Sequence, residues 1–349
     1  MQISHTSTKA LNEGNRLSIL RLQQQLLEAQ QEVATGRLYD AGRTLGSRTA
    51  ETISLRQQHT RFSTLIETNG IVQTRLDSSQ AVLADMVGVA EDFVEALLLA
   101  RDAEGGAAVA KQNAEASLKS LIGGLNTTVG GEYLFAGINV SVEVVADYYS
   151  TPTSAGRTAV NAAFFATFGT TQSDPANGNI TPAAMQTFLD TTFSGLFDPA
   201  GWSANWSTAS DQNVVSRIGL SEEVVTSANA NEQAFRKLAE AFTMVADLGV
   251  ENLNDGAFTA LADTAARLAG EAIQELTVIQ SRLGTAAERI SASNTKMTAQ
   301  RNVLNTQIDN LEAVDPFEAS TRVTTLMTQL QTSYALTARV QQLTILNYL

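Results

Sequence analysis

Ile273, Leu276, Gln280, Leu283, Ala287, Ile290, Asn294, Met297, Arg301, Leu304, Ile308 and Leu311 follow one another at alternating spacings of three and four residues. Nine of these twelve are apolar or Ala, no Pro interrupts them, and Gly284 is the sole Gly. A 3.5-residue repeat of this length requires a partner helix along its seam, because one helix cannot bury its own stripe. The polar seam positions Gln280, Asn294 and Arg301 read as register markers: each costs stability but rejects slipped pairings. The run stops at Asp315-Pro316-Phe317-Glu318. There Asp can cap the orphan N–H groups, Pro fits the first helical position, and Glu318 can complete a reciprocal capping pair. A second helical run continues to Leu349, so the break reads as a hinge between an inner and an outer segment.

The partner lies near the other end of the chain. Residues 47–102 carry a matching seam through Leu55, His59, Phe62, Ile66, Asn69, Gln73, Leu76, Gln80, Leu83, Val87, Ala90, Val94 and Leu97. A helix of this length would run roughly 80 Å, well beyond ordinary globular helices. Residues 255–312 match it in length and period, so the two bury their seams best against each other, antiparallel. The outermost runs, 5–35 and 316–348, then become neighbours. Ile19, Leu22, Leu26, Ala29 and Val33 form the seam of the first, which Gly36 is placed to cap. Val323, Leu326, Leu330, Val340, Leu343, Leu346, Tyr348 and Leu349 are the corresponding interaction residues of the last.

Between the long helices, Gly105-Gly106 makes a turn into a third helix with Ala114, Leu118, Leu121 and Leu125 on one face. Composition changes after Gly130-Gly131. Four of the five prolines (Pro152, Pro175, Pro182, Pro199) fall between 150 and 200, and Trp202 and Trp206 follow. Short apolar runs at 142–149 and 159–168 predict a compact, strand-containing insert with one helix at about 182–197. From Glu132 to Arg217 there are seven acidic and two basic residues and no Lys, a surface for display rather than for charge-steered binding. Helix resumes with the capping-box pattern Asn229-Ala230-Asn231-Glu232, ahead of a stripe of Phe235, Leu238, Ala239, Phe242, Val245 and Ala246.

The expected fold is therefore mainly α: a long antiparallel helical bundle made by the N- and C-terminal regions, with an inserted mixed, β-rich domain. Its parts are terminal polymerisation helices (1–46 and 313–349), a helical rod (47–137 and 229–312) and an outer domain (138–228). Such a chain works by assembly rather than catalysis.

Composition agrees. The net charge of -13 argues against a nucleic-acid partner, which would need a basic stripe. Zero Cys removes disulfides, thiolate metal sites and Cys nucleophiles. No stretch reaches the roughly 20 apolar residues of a membrane span, and the first residues show no cleavable signal pattern. His5 and His59 are far apart, and no phosphate-binding, dinucleotide, zinc-protease or hydrolase motif is present. Asp174-Pro175-Ala176-Asn177-Gly178-Asn179 lacks the acidic pattern of a Ca²⁺ loop and reads as a turn. No catalytic, metal or cofactor residues are expected.

Three places carry a resemblance. Gly131-Glu132-Tyr133-Leu134-Phe135-Ala136-Gly137 resembles the G-x-Y-[LI]-F-[AS]-G motif of bacterial flagellar hook–filament junction proteins (the hook-associated protein 3 family, within the flagellin superfamily). Ser281-Arg282-Leu283-Gly284 and the stretch from Leu311 to Ala319, which includes Asp315, Pro316 and Glu318, are similar to the corresponding flagellin-superfamily region. The last seven residues, Leu343 to Leu349, resemble the junction family's ending. The likeness covers about 1–137 and 229–349. The connector at 35–46 departs from it, lacking the family's Asn-Pro-Ser-Asp-Asp-Pro.

The resemblance implies a secreted structural subunit of the extracellular flagellum, exported through the type III channel. Its implied partners are its own copies in a ring, neighbouring hook-associated and flagellin subunits, and a cytoplasmic export chaperone, with no nucleic acid and no membrane insertion. Flagellin itself is the same-class alternative. A soluble helical signalling or adaptor bundle is a different-class one, but it would need a hairpin tip where this chain places an aromatic insert. An enzyme housed in the insert is a third.

Overall fold

The structure, a computed structural model, describes residues 8–101 and 103–346, with side chains over 13–101 and 103–339. The helices are α1 (Thr8–Thr35), α2 (Ala41–Leu45), α3 (Thr49–Arg101), α4 (Gly106–Leu125), α5 (Ala155–Phe168), α6 (Pro182–Phe188), α7 (Pro199–Asn205), α8 (Gln233–Asp247), α9 (Asp255–Glu312) and α10 (Pro316–Leu346). The strands are β1 (Thr128–Val129), β2 (Glu132–Tyr133), β3 (Val215–Arg217) and β4 (Glu223–Val225), which form two antiparallel two-stranded sheets, β1–β2 and β3–β4. Two compact units result: residues 1–64 with 297–349, and residues 65–296.

In the unit 65–296, α3 and α9 pair antiparallel. The Asn69 side-chain amide donates to Asn294 Oδ1 (2.7 Å), Gln80 Nε2 donates to the Gln280 carbonyl (2.7 Å), and Arg101 pairs with Asp263 (2.8 Å). Partner numbers fall on one helix as they rise on the other, which fixes both direction and register. Leu76, Leu83, Ala90 and Leu97 of α3 and Leu276, Leu283 and Ile290 of α9 are buried. Asn294 thus acts where the heptad pattern placed a register marker, since a slip would strand the buried Asn69 amide; at position 280 it is the backbone carbonyl, not the Gln side chain, that takes the bond. Asn69 is fully buried and also donates to the Ile218 carbonyl at the tip of β3–β4, so the hairpin is pinned at the same spot.

α4 and α8 pack against each other in this unit. All the stripe residues predicted for the two helices are buried. Both faces of α8 are covered, because Lys237 reaches Glu271 and Glu275 on α9 (2.8 Å each) and Phe93 of α3 meets Phe242 edge-on.

The expectation of a β-rich insert is corrected. Within 138–228 the chain forms α5, α6 and α7, with a single hairpin, β3–β4. The run 159–168, read as an apolar strand, is the body of α5: Ser154 caps Arg157 N, and Gly169 closes the helix with φ 74°. The helix expected at about 182–197 is present as α6, continuing through a π turn and a 3₁₀ turn. The aromatic residues are spent on a buried spine rather than on sheet faces. Ring centroids lie 5.1–5.8 Å apart from Phe168 through Phe188, Phe193, Phe197 and Trp206 to Tyr148. This spine is continuous with the α8 core, and Arg236 donates to the Phe197 carbonyl while Tyr148 donates to Asp247.

One buried carboxyl in this core carries a prediction. Glu240 of α8 is 9% exposed, and burial, aided by Asp198, pushes its pKa up to about 7 against the pull of Arg267, Lys237 and Arg236. A carboxyl with a raised folded pKa binds protons more tightly when folded. Its contribution to stability is therefore complete below the ordinary carboxyl range and lost as pH rises through about 7. Glu240→Gln is expected to leave stability unchanged near pH ~4 and to raise it by up to ~3 kcal/mol near pH ~8. Urea unfolding at the two pH values checks this; an equal effect at both would contradict the assignment.

Candidate assembly surface

In the unit made of 1–64 and 297–349, α1 and α10 lie antiparallel: Gln23 donates to the Tyr334 hydroxyl (2.7 Å) and Arg322 to Glu32 (2.9 Å). Of the predicted seam residues, Ile19, Leu22, Leu26, Val323 and Leu330 are half-buried and Leu326 is buried. Val33 departs from the reading at 44% exposed. Glu32 takes the inner position instead, because its carboxylate accepts both from Arg322 and from the Tyr39 backbone N–H after the chain turns at Gly36. For Val340, Leu343 and Leu346 the side chains, and for Tyr348 and Leu349 the whole residues, lie outside the described residues.

The seam uses only one face of each helix. At 100° per residue Leu17 lies opposite the seam of Ile19, Leu22 and Leu26, and Leu20 and Leu27 (66% exposed) lie on its flank. On α10, Phe317 (84% exposed), Met327, Tyr334 and Leu336 are exposed. The α10 threonines add to this. Thr321, Thr324, Thr325, Thr328 and Thr332 each return their hydroxyl to the carbonyl four residues earlier. With the hydroxyls spent on backbone, the grooves lined by Thr324, Thr325, Thr328 and Leu336 present methyl groups. The pair is therefore apolar on two sides, with one side unfilled.

At the end of the pair stands an ionic hub that sequence reasoning missed. Glu312 is 2% exposed and is held by Arg56, whose Nε lies 2.9 Å from it, and by Arg37 at 3.7 Å; Arg37 also reaches Asp309. The backbone joins in: Leu38 N donates to Glu312 O, and Val314 N to Gly36 O. These bonds tie the connector after α1 to the end of α9. The connector, which departs from the family pattern, contains α2, capped by Asp40 onto Arg43 N (2.9 Å). Asp315 caps α10 as expected, accepting from Phe317 N (2.8 Å). Glu318 does not complete the reciprocal pair; it turns to Arg322 (3.0 Å) on its own helix.

The motif 131–137 forms the neck of the insert. Leu134, Phe135 and Ala136 are buried, Tyr133 is half-buried, and Phe135 meets Phe235 edge-on at 5.5 Å. Ala230 N donates to Phe135 O, Ser210 N to Ala136 O, and Ile138 N to Gln212 O, so the entering and leaving strands of the insert are laced together here. Gly137 has φ 63°, and a Cβ there would lie 2.4 Å from Ser210 O. No other residue fits. The Asn229–Glu232 pattern serves the same neck: Glu232 accepts from Asn229 N, but the helix starts only at Gln233, and the Asn229 and Asn231 side chains bind Asn213 and Asp211.

Among the described residues no group of three His, Cys, Asp or Glu is placed to hold a metal, and no helix is long and apolar enough to cross a membrane. Asp174 caps a 3₁₀ turn through Ala176 N, as a turn reading requires.

Against this geometry the family assignment is direct. Residues 6–140 match the bacterial flagellin N-terminal helical region, and residues 266–349 match the bacterial flagellin C-terminal helical region. The chain belongs to the flagellin family. The two matched regions supply α1, α3, α4, most of α9 and α10, while the aromatic insert and α8 fall between them. Flagellin-family proteins are structural and non-enzymatic, and they polymerise with other flagellar subunits in the extracellular flagellum. The fold is similar to a solved structure described as a flagellar hook-associated protein from Vibrio parahaemolyticus, with a TM-score of 0.52 and 7% identity, covering 76% of this chain and 97% of that one. No curated protein sequence matches the chain.

Proposed function

We propose that this flagellin-family chain is the subunit joining the flagellar hook to the filament. The observation that carries the reading is the 131–137 motif, whose residues resemble those of the junction family and here build the neck of the insert. In this reading the segments 1–46 and 313–349 polymerise through the apolar faces of α1 and α10. Residues 47–137 and 229–312 form the rod, and 138–228 is displayed outward. Ile19, Leu22, Leu26, Val33, Val323, Leu326, Leu330, Val340, Leu343, Leu346, Tyr348 and Leu349 act in assembly. The subunit forms a ring, leaves the cell by type III export, and is met before export by a chaperone that covers its terminal helices. Flagella of a strain lacking the chain test this: hooks without filaments are expected, and normal filaments would overturn it.

The filament subunit itself is the second reading, favoured by the matches to both flagellin regions. Both readings share one expectation. A two-helix seam with its outer face unfilled cannot hold α1 and α10 firmly in a lone chain. Amide exchange there should be fast in dilute monomer and slow after assembly; strong protection in the monomer would contradict a polymer role.

A further inference from the structure

Glu240 of α8 is 9% exposed and makes no hydrogen bond or ion pair among the described residues. The charged groups that face it are Arg236 and Lys237 from its own helix, Arg267 from α9 and Asp198 from the insert. α4 packs on the other side of the helix, against Leu238 and Phe242, each about 200° around from Glu240. There Lys111 pairs with Glu251, and Lys119 and Glu115 face Tyr149.

Three cations stand near the carboxyl, yet each is engaged elsewhere. Lys237 reaches Glu271 and Glu275 (2.8 Å each), and Arg267 pairs with Glu271 (2.8 Å). Arg236 donates to the carbonyls of Asn231 (3.1 Å) and Phe197 (2.9 Å). A buried carboxylate without a partner is costly, and the charge of Asp198 adds to the cost, so the neutral acid is favoured.

The carboxyl also stands at a joint. One helical turn before it, Arg236 ties α8 to Phe197, the residue before Asp198 and α7. Beyond Phe197 the segment is seated by aromatic contact: its ring lies 5.2 Å from Trp206, and Trp202 Nε1 donates to Asn231 Oδ1 (3.2 Å). We propose that Glu240 is a proton-operated latch on this joint: protonated, it lets the segment from Phe197 through α7 close on α8, and ionised, beside Asp198, it favours the opening of that segment into water. The direction follows from linkage. Opening returns Glu240 to water and to the ordinary carboxyl range, so the open form binds fewer protons; opening becomes easier as pH rises from that range and levels off above about 7.

Native-state hydrogen exchange on the full-length monomer tests the latch. The Trp202 and Trp206 amides, which bond to the Asp198 and Trp202 carbonyls, report on the segment, and those of Leu83 and Leu283 report on the α3–α9 core. After correction for intrinsic exchange, protection of the two Trp amides is expected to fall roughly ten- to fiftyfold between pH ~5 and ~8. Their exchange should be nearly insensitive to low urea, whereas that of the core amides should rise with it, the mark of a local opening. Glu240→Gln should remove the pH dependence, and Asp198→Asn should shrink it. Trp amides that match the core in protection and urea dependence, a fall that survives Glu240→Gln, or no fall at all would each overturn the proposal.

Discussion

Replacing Arg37 and Arg56 together by Ala is expected to destabilise the unit formed by 1–64 and 297–349 by about 3–5 kcal/mol. The size follows from an asymmetry in exposure. Both arginines are partly solvated, at 42% and 55% side-chain exposure, whereas the Glu312 side chain is 2% exposed. Removing Glu312 would return two guanidinium groups to water at modest cost. Removing the arginines instead leaves a carboxylate buried with no countercharge, the costly half of any buried pair. Adding Glu312→Gln to the double variant should recover a large part of the loss. Hydrogen exchange over 50–60 and 304–314 reads this locally; a loss below ~1 kcal/mol would mean that water already reaches Glu312.

Phe135→Ala is expected to cost about 3–5 kcal/mol in the unit 65–296, the range for emptying an aromatic site that cannot collapse. Collapse is blocked because backbone bonds from Leu134 N to Thr127 O and from Ala230 N to Phe135 O hold the chain on either side of the ring. The deletion also removes the edge-on contact with Phe235. Urea unfolding should show an earlier midpoint at unchanged slope; a near-neutral result would show that the neck is not part of the cooperative core.

The helical frame was legible because it is periodic. The seams through Leu76, Leu83 and Leu97 and through Leu276, Leu283 and Ile290 announce both helices and their mutual burial, and Asn294 announces the register. The insert was misread although its signals were present. Thr181-Pro182 opened the one helix expected there, but Asp174-Pro175, with its capping Asp174, and Asp198-Pro199, with Pro at the first helical position, start helical turns in the same way that Asp315-Pro316 located α10. Read as loop punctuation between aromatic runs, Asp174-Pro175 and Asp198-Pro199 pointed to strands. The Glu312 hub was illegible for another reason. Its partners are 256 and 275 positions away, and nothing local distinguishes a buried Glu near a helix end from a solvated one. The exposure of Val33 follows from the same long-range bonding, through Glu32 and Arg322.

The central claim is that the outer faces of α1 and α10 add this chain to a flagellar end and that growth then stops. Incubating purified chain with isolated hooks and counting added length by electron microscopy tests it most directly. The account predicts a short, uniform collar at hook ends, lost when Leu17, Leu20 and Leu27 are changed to polar residues. Long homopolymeric filaments, or hook ends left bare by the unaltered chain, would contradict it.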